Sequence, residues 1–343
     1  MDTLRLSTRE SDLERAGEII RAGGLVAFPT ETVYGLGADA LNAEAVASVY
    51  AAKGRPSDNP MIVHISDATG LYELIDGGAA SLSREASILM TNLWPGPLTM
   101  VFKKSAKVPD ITTGGLDTVA VRMPSNPTAR RLIKLAGRPI AAPSANLSGR
   151  PSPTTAGDVL EDMDGRIDAV IMGEQCDVGI ESTVLDLTDI IPRILRPGAV
   201  TKEKLMILLH RAVLYDNSLL TKPETIADPR NGAADTDFRP RSPGMKYIHY
   251  SPKAKVRLIE GSSREFREKA KKLGLEARQR GESVAILDYD NDPGKAAHKL
   301  FADMRELDRQ GYDLILIRTL DEDGFGFSVM NRMLKSAGYD VIK

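Results

Sequence analysis

Apolar positions recur every three to four residues from Ser11 to Ala22, stop at Gly23-Gly24, and give way to the unbroken apolar run Leu25 to Phe28. The first pattern predicts an amphipathic helix and the second a buried strand. Ser11 and Glu14 have the spacing of a capping box for that helix. The same alternation predicts helices over 43–52, 82–93 and 128–135. It predicts strands over 61–65, 98–102, 119–122, 140–142, 169–172, 183–187 and 193–195. Residues 1–211 therefore read as an α/β domain with a twisted mixed sheet. From 212 to 251 the periodicity is lost among prolines, glycines and charges, which predicts a linker with the length and polarity of an active-site lid. Strands over 256–259, 284–288 and 314–318 then alternate with helices over 264–280, 293–310 and 327–337. That spacing suits a small Rossmann-like parallel α/β domain over 252–343.

Composition narrows the ligand classes. The 343 residues suit two domains, and a formal net charge of −2 provides no global attraction for nucleic acid or anionic membrane. An anion site must therefore be local. No window approaches the roughly 18 apolar residues of a membrane span, and the N-terminus lacks a signal-peptide core, so a cytoplasmic protein is expected. Cys176 is the single cysteine and cannot form an internal disulfide; it reads as a passive side chain. His64, His210, His249 and His298 are scattered and show no zinc spacing. Asp288, Asp290 and Asp292 read as a solvated acidic turn.

Candidate chemistry gathers at strand ends. Residues 53–60, KGRPSDNP, place Lys53 and Arg55 beside a glycine and two prolines at the end of a helix, a stiff basic loop suited to an anion. Residues 29–37, PTETVYGLG, superficially resemble a dinucleotide-binding glycine fingerprint. Pro29 and five further residues intervene, however, and the next strand ends in His64 rather than an acid. The segment reads instead as a polar loop offering Thr30, Glu31, Thr32 and Tyr34. Arg122 closes its strand before Met123-Pro124, where a guanidinium can clamp a carboxylate. Residues 142–155, APSANLSGRPSPTT, offer Ser144, Asn146, Ser148 and Ser152 as neutral donors. Ser182 and Arg196 end further strand segments, and Arg196 precedes Pro197-Gly198 as Arg55 precedes Pro56. In isolation each feature also fits a hydroxyl-rich turn, a satisfied core histidine or a surface ion pair. Together they oppose several cations to Glu31, Asp58 and Glu181, which favours a nucleoside triphosphate with magnesium.

PTETVYGLG, KGRP with NP, PSAN, and STVLD with RPG, in this order over roughly residues 8–210, resemble the YrdC-type threonylcarbamoyl-AMP synthase family. SPGMKYIHYSP and GFGFSVMNRMLKSAG are similar to the family's long form, which has an extra C-terminal domain. The resemblance implies that L-threonine, bicarbonate or CO2, and ATP give threonylcarbamoyl-adenylate and pyrophosphate. Mg2+ would accompany ATP, held mainly by phosphate oxygens. A separate transferase complex would place the product on tRNA, and weak direct tRNA binding is a further expectation. Carried over by motif, Thr32, His64, Arg122, Ala142 and Ser182 hold threonine. Lys53, Arg55, Asn59, Thr118, Ser144, Asn146, Ser152 and Arg196 surround ATP, with Lys53 and Arg55 acting on the triphosphate. Tyr250 is the linker residue expected to reach back over the nucleotide. Two rivals are an RNA-binding module without turnover, which the negative charge disfavours, and the carbamoyl-adenylate domain of hydrogenase maturation, whose cysteine-rich zinc modules are not matched by one cysteine.

Overall fold

The computed structural model describes residues 2–220, 240–242 and 250–343; most of the expected lid lies outside them. In chain order the N-terminal unit contains β1 (Leu4–Leu6), α1 (Glu10–Arg21), β2 (Val26–Phe28), β3 (Gly35–Asp39), α2 (Ala43–Lys53), β4 (Ile62–His64), α3 (Arg84–Leu93), β5 (Leu98–Lys103) and β6 (Thr118–Arg122). It continues with α4 (Pro127–Ala136), β7 (Ile140–Ala141), α5 (Ala156–Met163), β8 (Ala169–Ile171), β9 (Thr183–Asp186), β10 (Arg193–Arg196), α6 (Lys202–Leu209) and β11 (Leu214–Tyr215). These strands form one mixed sheet in the order β1-β8-β2-β3-β7-β4-β6-β5-β9-β10-β11. β11 pairs with β10, so the sheet continues past residue 211.

Register brings distant residues to one edge. β4 and β6 run parallel with His64 opposite Arg122, and β5 runs antiparallel to β6 with Thr99 opposite the same arginine. β9 starts beside the start of β5, and β10 runs antiparallel to β9, ending at Arg196. Ends of β4, β6 and β10 therefore meet starts of β5 and β9. α2 explains the basic loop's placement: the Asn42 side chain accepts from the Glu44 and Ala45 amides at its start, and Gly54 closes it at φ 59°.

Two sequence expectations need correction. Ser11 does not cap α1, because it already lies inside the helix. The helix is preceded by Arg9 with no side-chain cap, while Ser7 donates its amide to the Asp12 carboxylate at 2.8 Å. The GLG part of the supposed polar loop is strand β3, buried throughout. A Cβ on Gly37 would stand 2.7 Å from Ile140 and 2.8 Å from Phe28, so packing explains this glycine without a phosphate. β1, β11, α5 and α6 were also absent from the sequence reading.

The C-terminal unit contains β12 (Lys255–Ile259), α7 (Ser263–Gln279), β13 (Val284–Leu287), α8 (Pro293–Arg309), β14 (Leu314–Arg318), α9 (Phe325–Ser336) and β15 (Val341–Ile342). Its sheet is parallel, in the order β13-β14-β12-β15, with β15 beyond the three expected strands. Phe266, Ala270 and Ala277 of α7 pack on one face. Residues of α8 and α9 pack on the other, in a cluster that also takes in Val33 and Ile180 from the N-terminal unit. The domains thus share an apolar seam. No helix among the described residues is long and apolar enough to cross a membrane.

Candidate active site

The strand ends surround a cavity lined by Thr30, Thr32, Val33, Gly35, Arg55, Ile62, His64, Arg122, Ala142, Pro143, Ser144, Glu181, Ser182, Arg196 and Tyr250. Nine residues expected at the site meet here: Thr32, Arg55, His64, Arg122, Ala142, Ser144, Ser182, Arg196 and Tyr250. The sheet register above brings His64, Arg122, Ser182 and Arg196 together, while Thr32, Arg55, Ala142, Ser144 and Tyr250 come from loops.

Arg122 is buried at the end of β6, with Nη2 2.8 Å from the Glu31 carboxylate and Nη1 donating to the Thr32 hydroxyl at 2.9 Å. Glu31 and Arg122 are close but poorly aligned, and Arg122 Nη2 has no hydrogen-bond acceptor. Burial pushes the Glu31 carboxyl up, but the adjacent guanidinium outweighs it and holds the group below its ordinary value. His64 Nδ1 is likewise buried without a hydrogen-bond partner. Burial first and Arg122 second lower the imidazole to about 3, so it is neutral near pH 7. Buried polar atoms without partners are costly, and these two lie on residues lining a cavity, where a ligand can satisfy them.

Arg196 donates to the Ser182 carbonyl at 3.0 Å and hydroxyl at 3.1 Å, while Ser182 also bonds the hydroxyl of Thr99, the residue paired with Arg122, at 2.8 Å. Burial lowers Arg196 to about 10, which leaves it cationic near neutral pH. Gly198 permits the turn after Arg196, because a Cβ there would approach the Thr183 nitrogen to 2.4 Å. Arg55 is half-buried and donates to the Asn59 carbonyl at 3.3 Å and the Pro60 carbonyl at 3.1 Å. Tyr250 takes φ 67°, stacks on Phe301 at 5.1 Å, and bonds Glu181. Burial pushes its phenol up to about 12.

Lys53 lies outside this lining and borders a second cavity with Gly54, Ser148, Arg150 and Ser251. Its ammonium is buried and donates at 2.5 Å to both the Ser144 and Asn146 carbonyls. Burial and the Arg55 charge lower its pKa well below the ordinary lysine value. Lys53 thus holds the PSAN loop. Four other expected ligands also lie outside the lining. Asn59 supports Arg55 through its carbonyl, and Thr118 begins β6 at the end remote from Arg122. Asn146 turns its amide to the Leu147 and Arg150 carbonyls, and Ser152 donates to Glu181 at 2.5 Å.

Glu181 is the one carboxylate among the described residues of the lining. It accepts from Ser152 and, at 3.1 Å, from Arg332 of α9. Burial pushes Glu181 up, but Arg332 and Arg196 outweigh it and keep the carboxyl below its ordinary value. An arginine among methionines in FSVMNRML was the available signal for Arg332. Cys176 is buried, and burial pushes its thiol up to about 12, consistent with a passive role. The acidic turn is engaged locally: Asp288 faces Arg318, Asp290 faces Lys295, and Asp292 caps α8. Among the described residues no group of three or more carboxylate, histidine or cysteine side chains is disposed to hold a metal.

Known proteins carry the same two-part architecture. Residues 18–198 match a family model described as "Telomere recombination", whose name joins Sua5, YciO and YrdC, and residues 200–338 match "Threonylcarbamoyl-AMP synthase, C-terminal domain". The threonylcarbamoyl-AMP synthase of Pyrococcus abyssi is 43% identical over 99% of this chain and 98% of its own. That of Bacillus subtilis is 40% identical over 99% of this chain and 97% of its own. The crystal structure of P. abyssi Sua5 complexed with L-threonine superposes with a TM-score of 0.90 at 42% identity, covering 100% of this chain and 99% of that one. The chain belongs to the threonylcarbamoyl-AMP synthase family, in its two-domain form.

Proposed function

We infer that this enzyme is a nucleotidyltransferase that joins L-threonine, bicarbonate or CO2, and ATP into L-threonylcarbamoyl-adenylate and pyrophosphate. One observation carries the reading: Arg122 and His64 stand in register on adjacent parallel strands, in a cavity that Arg55 and Arg196 also line. Arg122, whose Nη2 pairs in charge with Glu31 but makes no well-aligned hydrogen bond, suits the threonine carboxylate. Neutral His64 can accept a hydrogen bond from the substrate, with Thr32, Ala142 and Ser182 completing that wall. A site built around a substrate hydroxyl rejects analogues lacking it, because its own polar groups would remain unpaired.

The free amine of threonine adds to CO2 and loses a proton, giving a carbamate. A carbamate oxygen then attacks the α-phosphorus of ATP, and the bond to the bridging oxygen breaks as pyrophosphate leaves. Charge accumulates on the leaving group, and the lining cations Arg55 and Arg196 would stabilise it. Ser144 also lines the cavity, while Asn59, Asn146, Ser152 and Thr118 would act on ATP from outside the lining. Among the described residues no lining side chain is an evident general base, so alignment of carbamate and phosphate supplies much of the rate. Glu181 is committed to Ser152 and Arg332, so a Mg2+ ion accompanying ATP would be held mainly by phosphate oxygens and would supply charge neutralisation there. The product is an activated acyl donor. Its consumer would be a separate transferase acting on tRNA, a role that suits a cytoplasmic enzyme.

Incubation with ATP, Mg2+, bicarbonate and threonine should yield pyrophosphate and a product of the threonylcarbamoyl-adenylate mass. Equal pyrophosphate release without threonine would overturn the reading.

A further inference from the structure

Two arginines of the C-terminal domain have no solvent exposure, although neither lines the cavity. Arg332 on α9 donates to the Glu181 carboxylate at 3.1 Å, the Pro197 carbonyl at 2.5 Å and the Glu181 carbonyl at 3.4 Å. Arg305 on α8 donates to the Pro151 carbonyl from Nε at 3.1 Å and from Nη2 at 2.6 Å, and to the Asp162 carboxylate at 2.9 Å. Asp162 in turn accepts from the Leu147 amide and from Arg150. Near Arg332, Ser328 donates to the Gly198 carbonyl at 2.9 Å.

The acceptors follow a pattern. Pro151 precedes Ser152, Glu181 precedes Ser182, and Pro197 follows Arg196. Each guanidinium therefore grips the backbone neighbour of a residue assigned to a substrate. A buried charge gains little net stability over a well-packed apolar side chain, so domain cohesion alone does not explain why two are placed at these turns. A rigid fork of donors aimed at carbonyls fixes loop position in a way that apolar packing does not.

We propose that Arg305 and Arg332 are positioning residues for the synthase reaction, so that the C-terminal domain forms the outer frame of the substrate pocket. The inference rests on the assignment of Ser182 to threonine and of Ser152 and Arg196 to ATP. Arg332 then serves both substrates, through Glu181-Ser182 and Arg196-Pro197. Arg305 serves ATP alone, through Pro151-Ser152 and the Asp162-braced loop.

The test uses the full chain and measures adenylate formation with each substrate varied in turn. Arg332→Met should raise KM for ATP and for threonine, each by about 100-fold, the scale on which small misplacements act. Arg305→Met should raise KM for ATP by roughly 10-fold, with threonine KM within about 2-fold of wild type. Arg→Lys keeps charge but loses the fork and should recover only part of each effect. Arg332→Met leaves Glu181 buried without its main partner. If that variant does not fold, Arg332→Met/Glu181→Gln and Ser328→Ala provide the reading, with the same two-substrate defect expected and a smaller one for Ser328→Ala. Folded variants with unchanged KM values would overturn the proposal. So would an equal rise in both KM values in Arg305→Met, the mark of general loosening. Ser182→Ala and Ser152→Ala run in parallel: defects in these alone sink the frame and spare the pocket assignment, whereas no defect in either removes the assignment itself.

Discussion

Buried arginines occur in both domains, and they are put to opposite uses. Arg122 at the cavity keeps a nitrogen without a hydrogen-bond acceptor beside a histidine whose Nδ1 is also unpartnered. Arg305 and Arg332 at the domain seam spend their donors on carbonyls and carboxylates. Charge density is similar; satisfaction differs. Groups left incomplete at a cavity are prepared for a ligand, and groups completed away from it hold the loops that carry the incomplete ones.

The strongest challenge to that contrast is Arg122→Ala. It removes the threonine clamp and leaves Glu31 buried without its charge partner, so kcat/KM for threonine should fall by about 100- to 1,000-fold, the range for truncating a buried charge pair. The ATP requirement of any residual activity should change little. An Arg122→Ala enzyme with normal threonine KM would mean that the unsatisfied nitrogen serves no substrate.

Lys53 offers a sharper test, because its bonds to the Ser144 and Asn146 carbonyls and a contact with the triphosphate are two distinguishable uses of one charge. Its charge and its stiff surroundings were readable, since Gly54, Pro56 and Pro60 announce the end of α2. Direction was not, because only the folded chain shows the Ser144 and Asn146 carbonyls arriving beneath the ammonium. The same limit applied elsewhere. Continuous apolar runs disclose β2, β4 and β6, but β3 contains two glycines, of which Gly37 is required by the packing of Phe28 and Ile140 from other strands. Thr32, His64, Arg122 and Ser182 were legible as strand-end chemistry. Arg332 was not, because its partner Glu181 lies in the other domain. Lys53→Met should therefore loosen the PSAN loop rather than delete a phosphate contact. Thermal stability should fall by about 2 kcal/mol, within the range for leaving buried acceptors unsatisfied. KM for ATP should rise less than about 10-fold, well short of the Arg122→Ala loss on the threonine side. A large kcat loss with unchanged stability would restore Lys53 to the triphosphate.

His64 gives the contrast a pH signature. Its folded pKa of about 3 lies below the ordinary 6.5, so the unfolded chain binds the extra proton between these values. Its contribution to stability is complete above about pH 6.5 and is lost as pH falls toward 3. Urea midpoints should accordingly decline more steeply between pH 7 and pH 4 in wild type than in His64→Asn. Parallel curves would show that the imidazole is not held neutral by burial.

Cys176 marks the smallest expected effect and a third condition of a buried group, neither lining the cavity nor bracing it with charge. Its backbone amide donates to the Thr154 carbonyl at 3.0 Å, and that bond survives any side-chain change. Burial keeps the thiol protonated far above neutral pH. Cys176→Ala should lower stability by about 1 kcal/mol through lost packing and leave both KM values unchanged. Iodoacetamide should fail to label the native protein, with or without substrates. Rapid labelling that threonine suppresses would place the thiol on the cavity side of the contrast, where the geometry does not put it.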